Sequence, residues 1–138
     1  MDFEELRAYI ADADIVPKAK LATDKRKKFD AIFLYDKPKE IEADNFIIYS
    51  FNELNGGKTI RQFLITLKVC GNDITSVINL KDSLIKLLNF YDRPCEITRY
   101  SKLVFSNEGG IFYDTNTDKY IDNLYFECKL LWWKEWTT

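Results

Sequence analysis

The stretch Asn45-Phe46-Ile47-Ile48-Tyr49-Ser50-Phe51-Asn52-Glu53-Leu54, then Asn55-Gly56-Gly57, then Thr59-Ile60-Arg61-Gln62-Phe63-Leu64-Ile65-Thr66-Leu67-Lys68-Val69-Cys70, closed by Gly71-Asn72-Asp73, decides how this chain folds. Asn45 to Leu54 is rich in Ile, Phe and Tyr and reads as a strand. Asn55-Gly56-Gly57 is a strong turn signal, because these residues tolerate positive φ. In the return strand, Thr59 to Cys70, Phe63, Ile65, Leu67 and Val69 alternate with Gln62, Thr66 and Lys68, so one face is buried and the other mostly polar. Gly71-Asn72-Asp73 then breaks the strand and caps a helix. Its apolar stripe is Ile74, Val77, Ile78, Leu84, Ile85 and Leu88, widened by Leu80 and Leu87, which suits a helix lying on a sheet.

Working outward from this hairpin-to-helix unit, Asp2 to about Ala13 reads as a helix. Phe3, Leu6 and Ile10 recur at helical spacing, Asp2 with Glu5 resembles a capping box, and Pro17 lies just beyond. Residues 14–28 are polar. Phe29 to Tyr35 is a short apolar run that predicts one buried strand, and Lys37-Pro38-Lys39-Glu40 a loop. Beyond the central helix, which ends over Asn89 to Pro94, strands are expected at Cys95 to Phe105 and Gly110 to Asp114. A turn follows at Thr115-Asn116-Thr117-Asp118, then a long strand from Lys119 to Trp133. In that strand Leu124, Phe126, Cys128, Leu130 and Trp132 share one face. The expectation is an α+β fold: a largely antiparallel β-sheet with an N-terminal helix and one central helix packed on it, in a single domain spanning 1–138.

Composition narrows the function. Hydrophobic residues make up 46% and aromatics 15%, too apolar for intrinsic disorder. Twenty Lys+Arg against 22 Asp+Glu leave a net charge of −2, which argues against nucleic-acid binding by bulk charge. No apolar run approaches the roughly 20 residues that span a bilayer, and the acidic opening Met-Asp-Phe-Glu-Glu does not read as a signal peptide, so no membrane partner is expected. There is no histidine, which removes Ser-His-Asp and Cys-His catalysis and His-based metal sites. Cys70, Cys95 and Cys128 are far apart and form no CxxC, so zinc is not expected. Cys70 and Cys128 read as small packing residues in a reducing compartment. No Asn-x-Ser/Thr acceptor occurs.

Three features could carry chemistry or contacts. The run Lys25-Arg26-Lys27-Lys28 could touch phosphates, but no aromatic is interleaved and Asp24 and Asp30 flank it, as in a solvated loop. Glu127-Cys128-Lys129 spells the Glu-x-Lys of metal-dependent nucleases, with Asp114 upstream. A turn centred on Asn116-Thr117 pairs Asp114 with Lys119, which leaves Glu127 roughly 26 Å further along the strand, too far to share an ion. An exposed cross-strand charge pair is the simpler reading. Tyr91-Asp92-Arg93 and Asp114 to Asp118 hold carboxylates without a constellation, and Gly109-Gly110 lacks a following helix, so it reads as a bend. No catalytic, metal or cofactor site is therefore expected. The third feature is apolar excess on presumed outer faces. Tyr125, Leu131 and Trp133 point away from the Phe126 row, Trp136 lies beyond the strand, and Ile47, Tyr49 and Phe51 oppose Phe46 and Ile48. Either the first helix and tail cover that side, or it is a subunit interface.

The stretch Phe63-Leu64-Ile65-Thr66-Leu67-Lys68-Val69-Cys70-Gly71-Asn72-Asp73 with its helix, then Gly109-Gly110-Ile111-Phe112-Tyr113-Asp114, Tyr120 and Tyr125-Phe126-Glu127-Cys128-Lys129, resembles the tail-terminator and head-to-tail joining (tail completion) proteins of long-tailed bacteriophages. The resemblance covers residues 45–133. It implies a structural virion protein, not an enzyme. Such a protein forms a hexameric ring that caps the tail tube and joins it to the head connector during virion assembly. Its partners would be itself and tail-tube and neck proteins, with DNA only passing through the channel. It would reside in the virion tail or neck, and in host cytoplasm during assembly. A ring suits two-faced apolar strands, because cyclic interfaces use two different patches per subunit. On this reading Glu53, Asn55, Lys58, Tyr125, Leu131, Trp133 and Trp136 are interface candidates, the loops at Glu53 to Lys58 and Asn107 to Asp118 lie near axial contacts or the channel, and Trp132, Trp133 and Trp136 split between core and interface. The alternatives from other classes are a metal-dependent nuclease using Glu127 and Lys129, and an unrelated small adaptor domain.

Overall fold

A computed structural model describes residues 3–56 and 60–131, with backbone only at Asn55 and Gly56. Helix α1 (Glu4–Asp12) is followed by four short strands, β1 (Lys18–Leu21), β2 (Lys28–Asp30), β3 (Ile32–Leu34) and β4 (Ile41–Glu42). The long hairpin is β5 (Phe46–Gly56) and β6 (Ile60–Gly71). Helix α2 (Ile74–Leu88), β7 (Tyr100–Glu108), β8 (Phe112–Asp114) and β9 (Lys119–Leu131) complete the order. The main sheet runs β3-β5-β6-β9-β7, with β8 paired to the start of β9. Every pairing in it is antiparallel except β3 with β5. A second sheet, β2-β1-β4, stands apart. This is the α+β fold with a largely antiparallel sheet that the alternation predicts. Among the described residues no helix is long and apolar enough to cross a membrane.

Register decides which side chains share a face. Phe51 pairs with Ile65, and Ile65 with Phe126, so one row runs across three strands. That face carries Ile47, Tyr49, Phe63, Ile65, Leu67, Val69, Leu124, Phe126, Cys128 and Leu130. Both helices pack on it, α1 through Leu6 and Ile10 and α2 through Val77, Leu80, Leu84 and Leu88. Ile47, Tyr49 and Phe51 therefore lie on the Phe126 side, not on an outer face. The other face holds Phe46, Ile48, Cys70 and Ile121, which form a second, smaller core with Ala19 and Ala31 under the β2-β1-β4 sheet. The cover on that side is this small sheet, whereas α1 packs on the opposite face.

Four boundaries differ from the sequence expectation, each for a local reason. The run Phe29 to Tyr35 is two strands in two sheets, because Ala31 donates its N–H to the Pro17 carbonyl and accepts from the Ile47 N–H. The polar stretch 14–28 contains β1, which is held by pairing with β2 and β4. Cys95 to Arg99 is not strand: Arg99 sits at φ 74 and the Tyr100 N–H turns back to the Ile97 carbonyl. On α2, Ile74 and Ile78 are 47% and 37% exposed, so the buried stripe is narrower than the apolar one. The helix starts where expected, with the Asp73 side chain accepting from the Ser76 N–H at 2.8 Å. Asp2 lies outside the described residues, and the N-cap of α1 is Phe3, which makes no side-chain cap.

One polar group breaks the apolar row. Asp122 pairs with Val69 on the helix-bearing face and is 0% exposed. Its carboxyl makes no close hydrogen bond, and the Gly110 N–H is the backbone donor that faces it. Glu108 lies beside it and is paired to Lys81 of α2 at 3.3 Å. Burial, and then the neighbouring Glu108, push Asp122 up to about 6. Glu108 is lowered, first by the Asp122 carboxyl, which donates to it when protonated, and also by Lys81. Below about pH 6 the two carboxyls thus share one proton at pH values where both would ordinarily be ionised.

Candidate subunit interface

The uncovered surfaces of the main sheet lie at its two ends on the face away from the helices. At the hairpin end that face carries Leu64, Val104, Tyr125 and Leu131, all half-buried, with Leu54 58% and Ile60 44% exposed. Gln62, Lys102, Glu127 and Lys129 lie among them and, with Leu54, line a shallow depression. Ile60 pairs with Leu131, so β6 and β9 present apolar side chains at the same level. An apolar surface with polar neighbours is the composition of a partner surface.

At the other end, the loop from Asp36 to Asp44 stands over the sheet and leaves a cavity of about 660 Å³. Its floor is Phe46, Ile48, Cys70 and Ile121, and Lys39, Lys68 and Lys119 stand among its walls. Lys37 donates to the Ile41 carbonyl at 2.6 Å and lies 5.7 Å from the centre of the Phe46 ring. The Cys70 thiol is pushed up to about 12 by burial, so it packs and does not react as a thiolate.

The expected interface residues fall on different surfaces. Tyr125 and Leu131 are on the open outer face. Glu53 is on the other side of the sheet, in the row that continues Phe51, and its carboxylate accepts from Arg61 Nε at 2.5 Å and Nη2 at 2.6 Å. Those hydrogen bonds hold the Glu53 carboxyl below the usual carboxylate range. Asn55 lies in β5 opposite Gln62. Lys58, Trp132, Trp133 and Trp136 lie outside the described residues. Beyond Tyr49, β5 has no strand on its outer edge among the described residues, because β3 pairs only with Ile47 to Tyr49.

The basic run occupies the turn between β1 and β2. Lys25 Nζ is 3.9 Å from Glu42 and Arg26 Nε 3.4 Å from Asp24, Lys27 is exposed in the turn, and Lys28 opens β2 opposite Lys20. Glu127 pairs with Lys102 of the next strand at 3.4 Å, the cross-strand charge pair expected of an exposed position. Asp114 pairs with Lys119 and its side chain accepts from Asn116 and Thr117, far along β9 from Glu127. Among the described residues no three His, Cys, Asp or Glu side chains are grouped so as to hold a metal ion.

Sequence reading missed the cavity and the small sheet that walls it, since strands of two to four residues carry no periodicity. It also passed over Asp122, although its even number places it in the Leu124, Phe126, Cys128 row.

No protein-family model matches the chain, and no curated protein sequence matches it. Among solved structures, a chain from the virion of a native gene transfer agent particle is similar, with a TM-score of 0.55 and 11% identity over 74% of this chain and 79% of that one. At that identity the likeness is one of fold: the protein shares its architecture with a component of a gene transfer agent virion.

Proposed function

We propose that this protein is a structural subunit of a phage-like virion, a tail-terminator or head-to-tail joining protein that closes the tail tube as a ring. The observation that carries the reading is the fold shared with a gene transfer agent virion chain over about three-quarters of both chains. Two further features support it. The outer face offers two chemically different surfaces at opposite ends, an apolar one at the hairpin and a lysine-walled cavity at the other, as head-to-tail contacts around a ring require. And Glu127 and Lys129, the residues of the nuclease alternative, stand on the outer face of β9, where Glu127 is paired with Lys102.

The test is affinity capture of the tagged chain from a lysate of cells producing phage-like particles, with mass spectrometry of what co-purifies and electron microscopy of the eluate. Tail-tube or neck proteins with ring-shaped particles are expected. Nucleic acid cut on addition of Mg²⁺, with loss of cutting in Glu127→Ala, would replace this reading with the nuclease one. Capture of neither would leave an adaptor domain.

A further inference from the structure

Two corners of the main sheet carry strand edges that have no partner among the described residues. On one side β3 covers β5 only as far as Tyr49, where Tyr35 donates its N–H to the Tyr49 carbonyl and the chain turns away. Ile47 and Tyr49 direct their backbone groups at β3. By the two-residue period, Phe51 and Glu53 direct theirs outward past its end. On the far side of the sheet, β7 is closed at Leu103 and Phe105, which bond to the Phe90 N–H and the Asn89 side chain. β8 is open. The Asn123 carbonyl accepts from Gly109, so in β9 residues 119, 121 and 123 face β8. Phe112 and Asp114 therefore bond to Ile121 and Lys119, and Tyr113 turns its N–H and carbonyl away from the sheet.

The two edges match in phase and in direction. Phe51 packs on the larger core, and Tyr113 pairs with Tyr120, which packs on that same core. Both edges thus offer their free backbone groups at residues on the helix-bearing face. β5 and β9 run the same way, since each pairs antiparallel with β6, and β8 runs against both. Two copies set side by side in one orientation bring β8 of the first antiparallel to β5 of the second, with neither face turned over. The side chains match as well: Tyr113 is exposed, and so is Tyr35, whose ring lies 5.8 Å from that of Phe51. An aromatic cross-strand pair would cover both.

We infer that Tyr113 in β8 of one copy pairs with Phe51 in β5 of a second copy, each donating its N–H to the other's carbonyl, so that the main sheet continues from subunit to subunit. The contact is heterologous, and its repetition closes a ring or extends a filament. Phe112 is level with Phe46 through Ile121 and Cys70, whereas in this contact it lies opposite Asn52 of the second copy. Successive copies are therefore stepped by about six residues along the strands, roughly 20 Å. A stagger of this kind accompanies the strand tilt with which sheets close on themselves. The inference rests on the ring reading and specifies what links the subunits.

The experiment uses the full chain carrying Tyr113→p-benzoylphenylalanine, mixed as unlabelled and heavy-isotope-labelled copies, irradiated and digested. Cross-links joining labelled to unlabelled chains and mapping to Ser50 to Glu53 or to Tyr35 are expected. Cross-links confined to one chain, or ending elsewhere, overturn the inference. Tyr113→Pro removes an N–H that has no partner within the subunit, and is expected to weaken self-association by roughly tenfold or more in sedimentation, with unchanged circular dichroism. Tyr113→Phe, which keeps the ring and the backbone and loses only the bond to Asp118, is expected to associate as the native chain does. Undiminished association in Tyr113→Pro, or equal weakening in Tyr113→Phe, overturns the inference while the ring reading stands. A chain that is monomeric at every concentration also overturns it, and the ring reading is then judged by what co-purifies.

Discussion

Asp122 is the residue whose environment most constrains behaviour. It sits in a row of Leu and Phe, fully buried, with Glu108 for a neighbour. Its folded pKa of about 6 is above the unfolded value of about 3.9, so its contribution to stability is complete below about pH 4 and is lost as pH rises through 6. Glu108 is lowered, so its contribution is lost only at more acid pH, as pH falls through its folded value. Between pH 4 and 8 the Asp122 effect therefore dominates the pair, and the protein should lose on the order of 2–3 kcal/mol across that window from this group, most of it by pH 6. Asp122→Asn should flatten the dependence and be the more stable form at pH 8, as read by urea unfolding at both pH values. An equal loss in the variant would refute this. By contrast, Phe126→Ala in the same row should cost about 3–5 kcal/mol at any pH, since its ring is fully buried among Ile65, Phe105 and their neighbours. The Phe126 row was legible from alternation in the sequence, and so in principle was Asp122. The Glu108 and Lys81 neighbours were not, because they arrive from β7 and α2, and no local pattern encodes that meeting.

At the scale of elements, the junction between β6 and α2 shows how a short motif fixes a direction change. Asp73 caps the helix through its own side chain, and Asp73→Ala should cost about 1 kcal/mol in thermal or urea unfolding. Gly71 is needed for space and not for backbone freedom: a Cβ there would meet the Asn45 side chain at 2.5 Å and Val77 at 2.9 Å. Gly71→Ala should therefore destabilise by about 1–3 kcal/mol, with the hairpin and α2 moving apart, and a neutral result would mean that Asn45 yields. The hairpin, α2 and β9 were readable because each is long and has one periodicity. The strands β1, β2, β3 and β4 were not, since each has two to four residues and exists only through its partners. The shift of β7 from Cys95 to Tyr100 has the same origin. A left-handed Arg99 leaves no pattern in apolar spacing.

Across the whole molecule, stability should be graded from the centre of the main sheet outward. β6 and β9 are paired on both sides over most of their length and bury the larger core, whereas β2-β1-β4 rests on a smaller one. Hydrogen exchange should find β6 and β9 amides slowest and those of the small sheet fastest, and equal protection would show that the two sheets open together. What lies on each face was half legible: alternation identified two faces, but which strands' odd residues align needs the register, and that is a property of the assembled sheet. The strand order has a consequence for biosynthesis. β9, the last of the described strands in chain order, is the one that joins β6 to β7 and β8. Until the ribosome has released residues 119–131, the nascent chain exposes a bare β6 edge and an orphan β7, so the main sheet closes only once that segment has emerged. A chain cut short before Lys119 would therefore aggregate and not form a smaller folded sheet.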